Sequence, residues 1–221
     1  MPFVTLTSPD GHAFAAYRAE PSGKPKGAIV VIQEIFGVNS HIRALADGFA
    51  ADGYLAIAPA LYDRAERGVD LGYGEADIAR GREIRTRLDW DDVMRDVQTT
   101  VNEAAAAGRV GIVGYCWGGA VAWLASSRVQ GLSAAVSYYG GGIGQMAGEP
   151  IKAPTMCHFG AKDPMIPLSD VDKVRAAHPE AAVHVYDADH GFNCDQRHHY
   201  DAPSARLARE RTMAFFARQL G

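Results

Sequence analysis

Three side chains could carry nucleophilic catalysis. Cys116 sits in Gly114-Tyr115-Cys116-Trp117-Gly118-Gly119, a Gly-x-Cys-x-Gly turn between an apolar run and a helical pattern. A strand that turns directly into a helix forces the residue at the turn into a strained conformation, and small neighbours on either side let strand and helix pass closely. A cysteine there lies at a helix N-terminus, whose partial positive charge favours thiolate, and the next amide points toward a developing oxyanion. A buried structural cysteine in a Gly-rich turn is the alternative, and partners decide between them. Asp163 follows in Gly160-Ala161-Lys162-Asp163 and His190 in His190-Gly191-Phe192, each after a later apolar run. Nucleophile, acid and histidine in that chain order match a strand-turn-helix hydrolase. Asp163 would fix the imidazole tautomer, and His190 would move the proton. Taken singly, Asp163 reads as a turn cap before Pro164 and His190 as a loop residue. Of the other histidines, His158 and His184 fall in predicted strands as packed or paired side chains. The pair His198-His199 lacks a third clustered ligand and reads as surface.

The elements that must position these residues are legible as a pattern. Alternation over 3–7 and 12–18 around Ser8-Pro9-Asp10-Gly11 predicts an antiparallel hairpin. Apolar runs at 27–32, 54–58, 109–114, 132–138, 154–160 and 181–186 predict strands buried on both faces. Helical patterns at 41–51, 75–87, 91–107, 117–127, 169–177 and 204–220 separate them. The expected fold is a single α/β domain over 1–221 with a doubly wound, mostly parallel sheet. Its chemistry belongs in the loops beyond the carboxyl ends of the strands.

Composition narrows the function. The 221 residues carry 22 basic and 26 acidic side chains, a formal charge of −4, which argues against a nucleic-acid face. No apolar run approaches the ~18 residues of a membrane span, and the first residues lack a signal-peptide pattern, so a cytoplasmic protein without a membrane partner is expected. Three cysteines, Cys116, Cys157 and Cys194, form neither a disulfide framework nor a metal-binding spacing, so free thiols and no metal are expected. Oligomeric state is not readable from the sequence.

These motifs together resemble the dienelactone hydrolase family, the carboxymethylenebutenolidases of the α/β-hydrolase fold, over nearly the whole chain. The resemblance rests on Gln33-Glu34-Ile35-Phe36-Gly37, Pro59-Ala60-Leu61-Tyr62 and the segments around Cys116, Asp163 and His190. It implies Cys116 as nucleophile, His190 as base, Asp163 as its orienter, and Glu34 as a fourth member that helps generate the thiolate once substrate binds. It also implies an oxyanion hole from the amides of Ile35 and Trp117, no cofactor, and a small lactone or ester substrate from aromatic catabolism, with dienelactone converted to maleylacetate. Glu34 also makes independent sense, since a carboxylate at the end of the first buried strand could accept the thiol proton; an ordinary salt-bridged glutamate is the other reading.

The family clamps the substrate carboxylate with two arginines, and the chain departs from that pattern. Cys194 stands where the second belongs, so Arg197 could supply the charge only if the loop turns differently. Arg80 and Arg82 are candidates for the first, with Arg85 and Arg87 as alternatives, or all form a solvated helix face with Glu75, Asp77 and Glu83. Phe36, Trp117 and Tyr138 are apolar pocket candidates or core residues. Two other functions compete: a broader carboxylesterase or thioesterase with the same residues, and a thiol redox sensor in which Cys116 reacts with oxidant without turnover.

Overall fold

The structure is a computed structural model that describes residues 2–221; Met1, the first residue of the expected domain, lies outside the described residues. Eight strands form one sheet in the order β1-β2-β4-β3-β5-β6-β7-β8. These are β1 (Phe3–Thr7), β2 (Ala13–Ala19), β3 (Ala28–Ile32), β4 (Leu55–Pro59), β5 (Val110–Tyr115), β6 (Leu132–Tyr138), β7 (Thr155–Gly160) and β8 (Ala182–Tyr186). The hairpin β1-β2 joins the edge of β4 antiparallel, and every pairing from β4 to β8 is parallel. Among the described residues six α-helices, α1 (Ser40–Ala51), α2 (Glu75–Thr86), α3 (Trp90–Ala104), α4 (Trp117–Arg128), α5 (Leu168–Ala177) and α6 (Ala202–Leu220), fall between or after the strands, with α2 and α3 in succession and no helix between β6 and β7. The expected single-domain α/β fold is therefore the observed one.

Local chemistry accounts for the elements that matter to the site. Every residue of β3, β4 and β5 is buried, which is why these segments read as continuous apolar runs instead of alternating ones. Helix α4 is buried from Trp117 to Ser127, and its small residues Gly118, Gly119, Ala120, Ala122 and Ala125 let it lie against the sheet centre. Helix α3 starts at an Asp89 cap whose side chain accepts from the Asp91 and Asp92 amides. A 3-10 turn at Leu61–Arg64, not anticipated from the sequence pattern, follows β4 and buries Tyr62, whose hydroxyl donates to Gly81 O at 3.0 Å and so ties α2 to the sheet. Among the described residues no helix is long and apolar enough to cross a membrane.

Candidate active site

Cys116 is the only residue between β5 and α4. Its backbone lies at φ 56°, ψ −118°, a left-handed conformation that costs a residue with a Cβ about 1–3 kcal/mol. The surrounding packing holds it there. The Cys116 amide donates to Tyr138 O at 3.0 Å, and its carbonyl accepts from Gly119 N at 2.9 Å. A Cβ on Gly114 would stand 1.8 Å from Gly118 O, and one on Gly118 would stand 2.4 Å from Gln33 O. Both obstacles are backbone, so neither can rotate away. Gly114→Ala should therefore destabilise the fold by about 3 kcal/mol or more. Thermal unfolding should show a midpoint lower by roughly 6–12 °C; an unchanged midpoint would mean that strand and helix can separate at little cost.

The loops after β7 and β8 bring Asp163 and His190 to the same end of the sheet. Asp163 Oδ2 lies 2.7 Å from His190 Nδ1, with both side chains buried. Asp163 Oδ1 accepts from the amides of Met165 at 2.8 Å and Ile166 at 3.2 Å, so the turn-capping and imidazole-orienting readings are both satisfied, one by each oxygen. The other ring nitrogen, Nε2, is buried without a hydrogen-bond partner among the described residues. Burial pulls the His190 imidazole down, but the neighbouring Cys116 and the Asp163 hydrogen bond outweigh it and push the ring up to about 10. Tyr139, the other non-glycine residue at positive φ (38°) among the described residues, packs its ring 5.1 Å from that of His190.

Glu34 follows β3 and is fully buried. Its Oε2 accepts from the Tyr73 hydroxyl at 3.2 Å, and its Oε1 lies 3.5 Å from Arg197 Nη1. No hydrogen bond joins it to Cys116 among the described residues. Arg197 reaches it because the loop after His190 doubles back. Gly191 takes φ +78°, the Cys194 amide donates to Gly191 O at 2.9 Å, and the Arg197 amide donates to Cys194 O at 3.1 Å. The guanidinium then lies over the rings of Phe36 and Tyr73, at 5.8 and 5.7 Å from their centroids. Among the described residues the Ile35 amide donates no hydrogen bond, and the Trp117 amide opens helix α4. Free donors at these positions suit an oxyanion.

Cys116 and His190 line a cavity of about 190 Å³ with Ile35, Phe36, Arg82 and Arg197. An adjoining lobe of about 310 Å³ continues past them to Arg85, Trp117 and Gly142. Two expectations fail here. Arg80 turns away from the pocket and pairs with Glu66 and with Glu83, because residues two apart on a helix face different directions, whereas Ile78, Arg82 and Arg85 recur at helical spacing and share the pocket face. Tyr138 belongs to the core, where its hydroxyl pairs with Thr212 Oγ1 at 2.7 Å. Arg82 makes no ion pair or side-chain hydrogen bond among the described residues, which leaves a free cation beside Cys116. Helical spacing groups Arg82 and Arg85 with Ile78, but the docking of α2 decides that this face, and not that of Arg80, meets the pocket. His199, read as surface, lines the cavity 3.5 Å from Asp189, and Met165 closes its outer side, half exposed. Nothing in the spacing signals either.

The model of the dienelactone hydrolase family matches residues 14–220. The chain belongs to the dienelactone hydrolase family. A carboxymethylenebutenolidase of Pseudomonas putida is 33% identical over 97% of this chain and 95% of its own. A crystal structure from Klebsiella pneumoniae subsp. pneumoniae, assigned to the dienelactone hydrolases, superposes with a TM-score of 0.84 at 32% identity, covering 97% of this chain and 98% of that one. A dienelactone hydrolase-like promiscuous phosphotriesterase from metagenomic libraries shares the fold at a TM-score of 0.82 and 20% identity, over 99% and 98% of the two chains. As a member of the dienelactone hydrolase family, the protein is a hydrolase acting on carboxylic ester bonds, lactones included.

Proposed function

We propose that the protein is a cysteine-nucleophile hydrolase of activated esters or lactones that carry a carboxylate, with dienelactone to maleylacetate as the reaction it fits best. The observation that carries this reading is the single cavity shared by Cys116, an Asp163-bound His190 and the unpaired Arg82. A substrate carboxylate attracted to Arg82 and Arg197 would compete with Glu34 for the Arg197 guanidinium. Glu34, once released, can swing toward Cys116 and take the thiol proton. The thiolate then adds to the lactone carbonyl, whose oxygen accepts from the Ile35 and Trp117 amides. Collapse breaks the ring C–O bond and expels an enolate, which remains tethered through the acyl chain. The enolate takes a proton from the His190 imidazolium, the neutral imidazole then removes a proton from the water that attacks the thioester, and the departing thiolate recovers its proton from Glu34.

Sulfur sets the substrate class. A thiolate is itself a good leaving group, so the adduct reverts unless the substrate's own leaving group is at least as good. Enolates and thiolates meet that condition, while amides and unactivated alkyl esters do not.

Turnover of cis- and trans-dienelactone, set beside neutral p-nitrophenyl esters of similar size, tests the proposal. The carboxylate-bearing lactones should have the higher kcat/KM. Arg82→Met should lower kcat/KM for them by about tenfold to a hundredfold, the value of a charge-assisted hydrogen bond, and leave the neutral esters unchanged. Equal losses on both would show that Arg82 shapes the pocket without reading charge. Equal turnover of charged and neutral substrates by the parent protein would favour a broader carboxylesterase.

A further inference from the structure

Behind the catalytic cavity, three segments far apart in sequence converge: the loop after β3, the first turn of α1 and the loop after β8. They bring Glu34, His41 and Cys194 together, all buried, with one donor atom of each within 4.8 Å of the others. Two buried metal-ligating atoms there, Glu34 Oε1 and His41 Nε2, have no hydrogen-bond partner among the described residues. The other nitrogen of His41, Nδ1, lies 3.5 Å from Asp195 Oδ1. A carboxylate on one nitrogen that leaves the other bare is how proteins prepare an imidazole to bind a metal. We propose that Glu34, His41 and Cys194 form a three-donor site for a divalent transition metal of the zinc class, separate from the Cys116 pocket.

The donor set decides the class of ion. Thiolate, imidazole and one carboxylate suit zinc or cobalt, whereas calcium and magnesium require shells built almost wholly of oxygen. Metal–donor bonds of ~2.0–2.3 Å require donors about 3.5 Å apart, so the cluster must contract slightly. Rotation of the Glu34 carboxylate can supply that contraction, because its Oε1 contacts Arg197 without hydrogen-bond geometry. Burial draws the His41 imidazole down, with Glu34 and Asp195 opposing, and so favours the neutral form that ligates. Burial and the Glu34 charge push the Cys194 thiol up to about 11, so the empty site holds a thiol. Binding exchanges the S–H bond for an S–metal bond and releases one proton to solvent, with no change in oxidation state.

Charge balance is acceptable. Glu34 and the Cys194 thiolate neutralise the ion, and the remaining Arg197 cation rests on the rings of Phe36 and Tyr73. A surface depression of about 340 Å³ lined by His41, Asn193 and Asp195 offers an entry route that passes neither Cys116 nor His190. A bound ion would hold Glu34 away from Cys116; this consequence rests on the role proposed above for Glu34, while the binding itself does not.

The test uses Cys116→Ser protein, so that the catalytic thiol cannot bind the ion, with Co²⁺ as the probe. One equivalent should bind with a sulfur-to-cobalt charge-transfer band, and the band should disappear on adding Cys194→Ser. Asp195→Asn, at an exposed side chain that touches the ion only through His41, should weaken binding about tenfold while the band persists. Where circular dichroism shows that the Cys194→Ser protein is unfolded, His41→Gln takes its place and should lose the same band. No band in the Cys116→Ser protein, or one indifferent to both Cys194 and His41, would overturn the site. Turnover plays no part in these readings, so failure here leaves the catalytic proposal untouched, and failure of that proposal leaves these readings intact.

Discussion

Cys116→Ala should reduce turnover of an activated ester by about 10⁴-fold or more while leaving the fold in place. Alanine keeps a Cβ, so the φ of 56° costs no more than it does now, and the Cys116 amide and carbonyl keep their partners Tyr138 and Gly119. Only the sulfur is lost. What survives is the free amides of Ile35 and Trp117 and the binding cavity, which can polarise a carbonyl but cannot form the thioester. The result to look for is a burst of leaving group in the parent protein and none in the variant, with equal thermal midpoints. Undiminished turnover would eliminate Cys116 as nucleophile and direct attention to water activated by His190. A redox sensor makes the opposite forecast, since it would show no burst in either protein.

The fold was readable because its central strands are buried on both faces and its helices are punctuated by turn residues. Runs such as 27–32 have no polar side to confuse the pattern, and the observed β3 (Ala28–Ile32) differs by one residue. The Gly-x-Cys-x-Gly turn was readable for a related reason: strand and helix touch through backbone at Gly114 and Gly118, so sequence freedom vanishes there. The pocket wall was harder. Arg197 reaches the cavity through a left-handed Gly191 and two reverse turns, which no periodicity reports. Arg80 and Arg82 are chemically alike, and only the docking of α2 separates them. That docking is set at Gly81, where a Cβ would stand 2.1 Å from Ile35 O. The cluster of Glu34, His41 and Cys194 has no local spacing at all, because sheet order and loop path alone bring residues 34, 41 and 194 together.

The Asp163 and His190 pair should show its role in two independent measurements. His190→Gln should lower turnover by roughly 10⁴-fold, and Asp163→Asn by a similar factor, because an amide at Oδ2 would favour the wrong imidazole tautomer. In Asp163→Asn the Met165 and Ile166 amides can still be accepted by the side-chain oxygen, so the turn should survive and the loss should fall on kcat. The second measurement is the His190 titration followed by imidazole nitrogen NMR. In the parent protein the ring should hold its proton until the pH rises through about 10, since Cys116 and Asp163 overcome the burial that opposes charge. Turnover of the lactone should decline over the same range, as the imidazolium that protonates the expelled enolate disappears. Cys116→Ala removes the thiolate and Asp163→Asn the carboxylate; each should move the titration downward, because burial then meets less opposition. A ring that titrates unchanged in Cys116→Ala would mean that thiolate and imidazolium do not pair, and the nucleophile would then have to be activated by Glu34 alone.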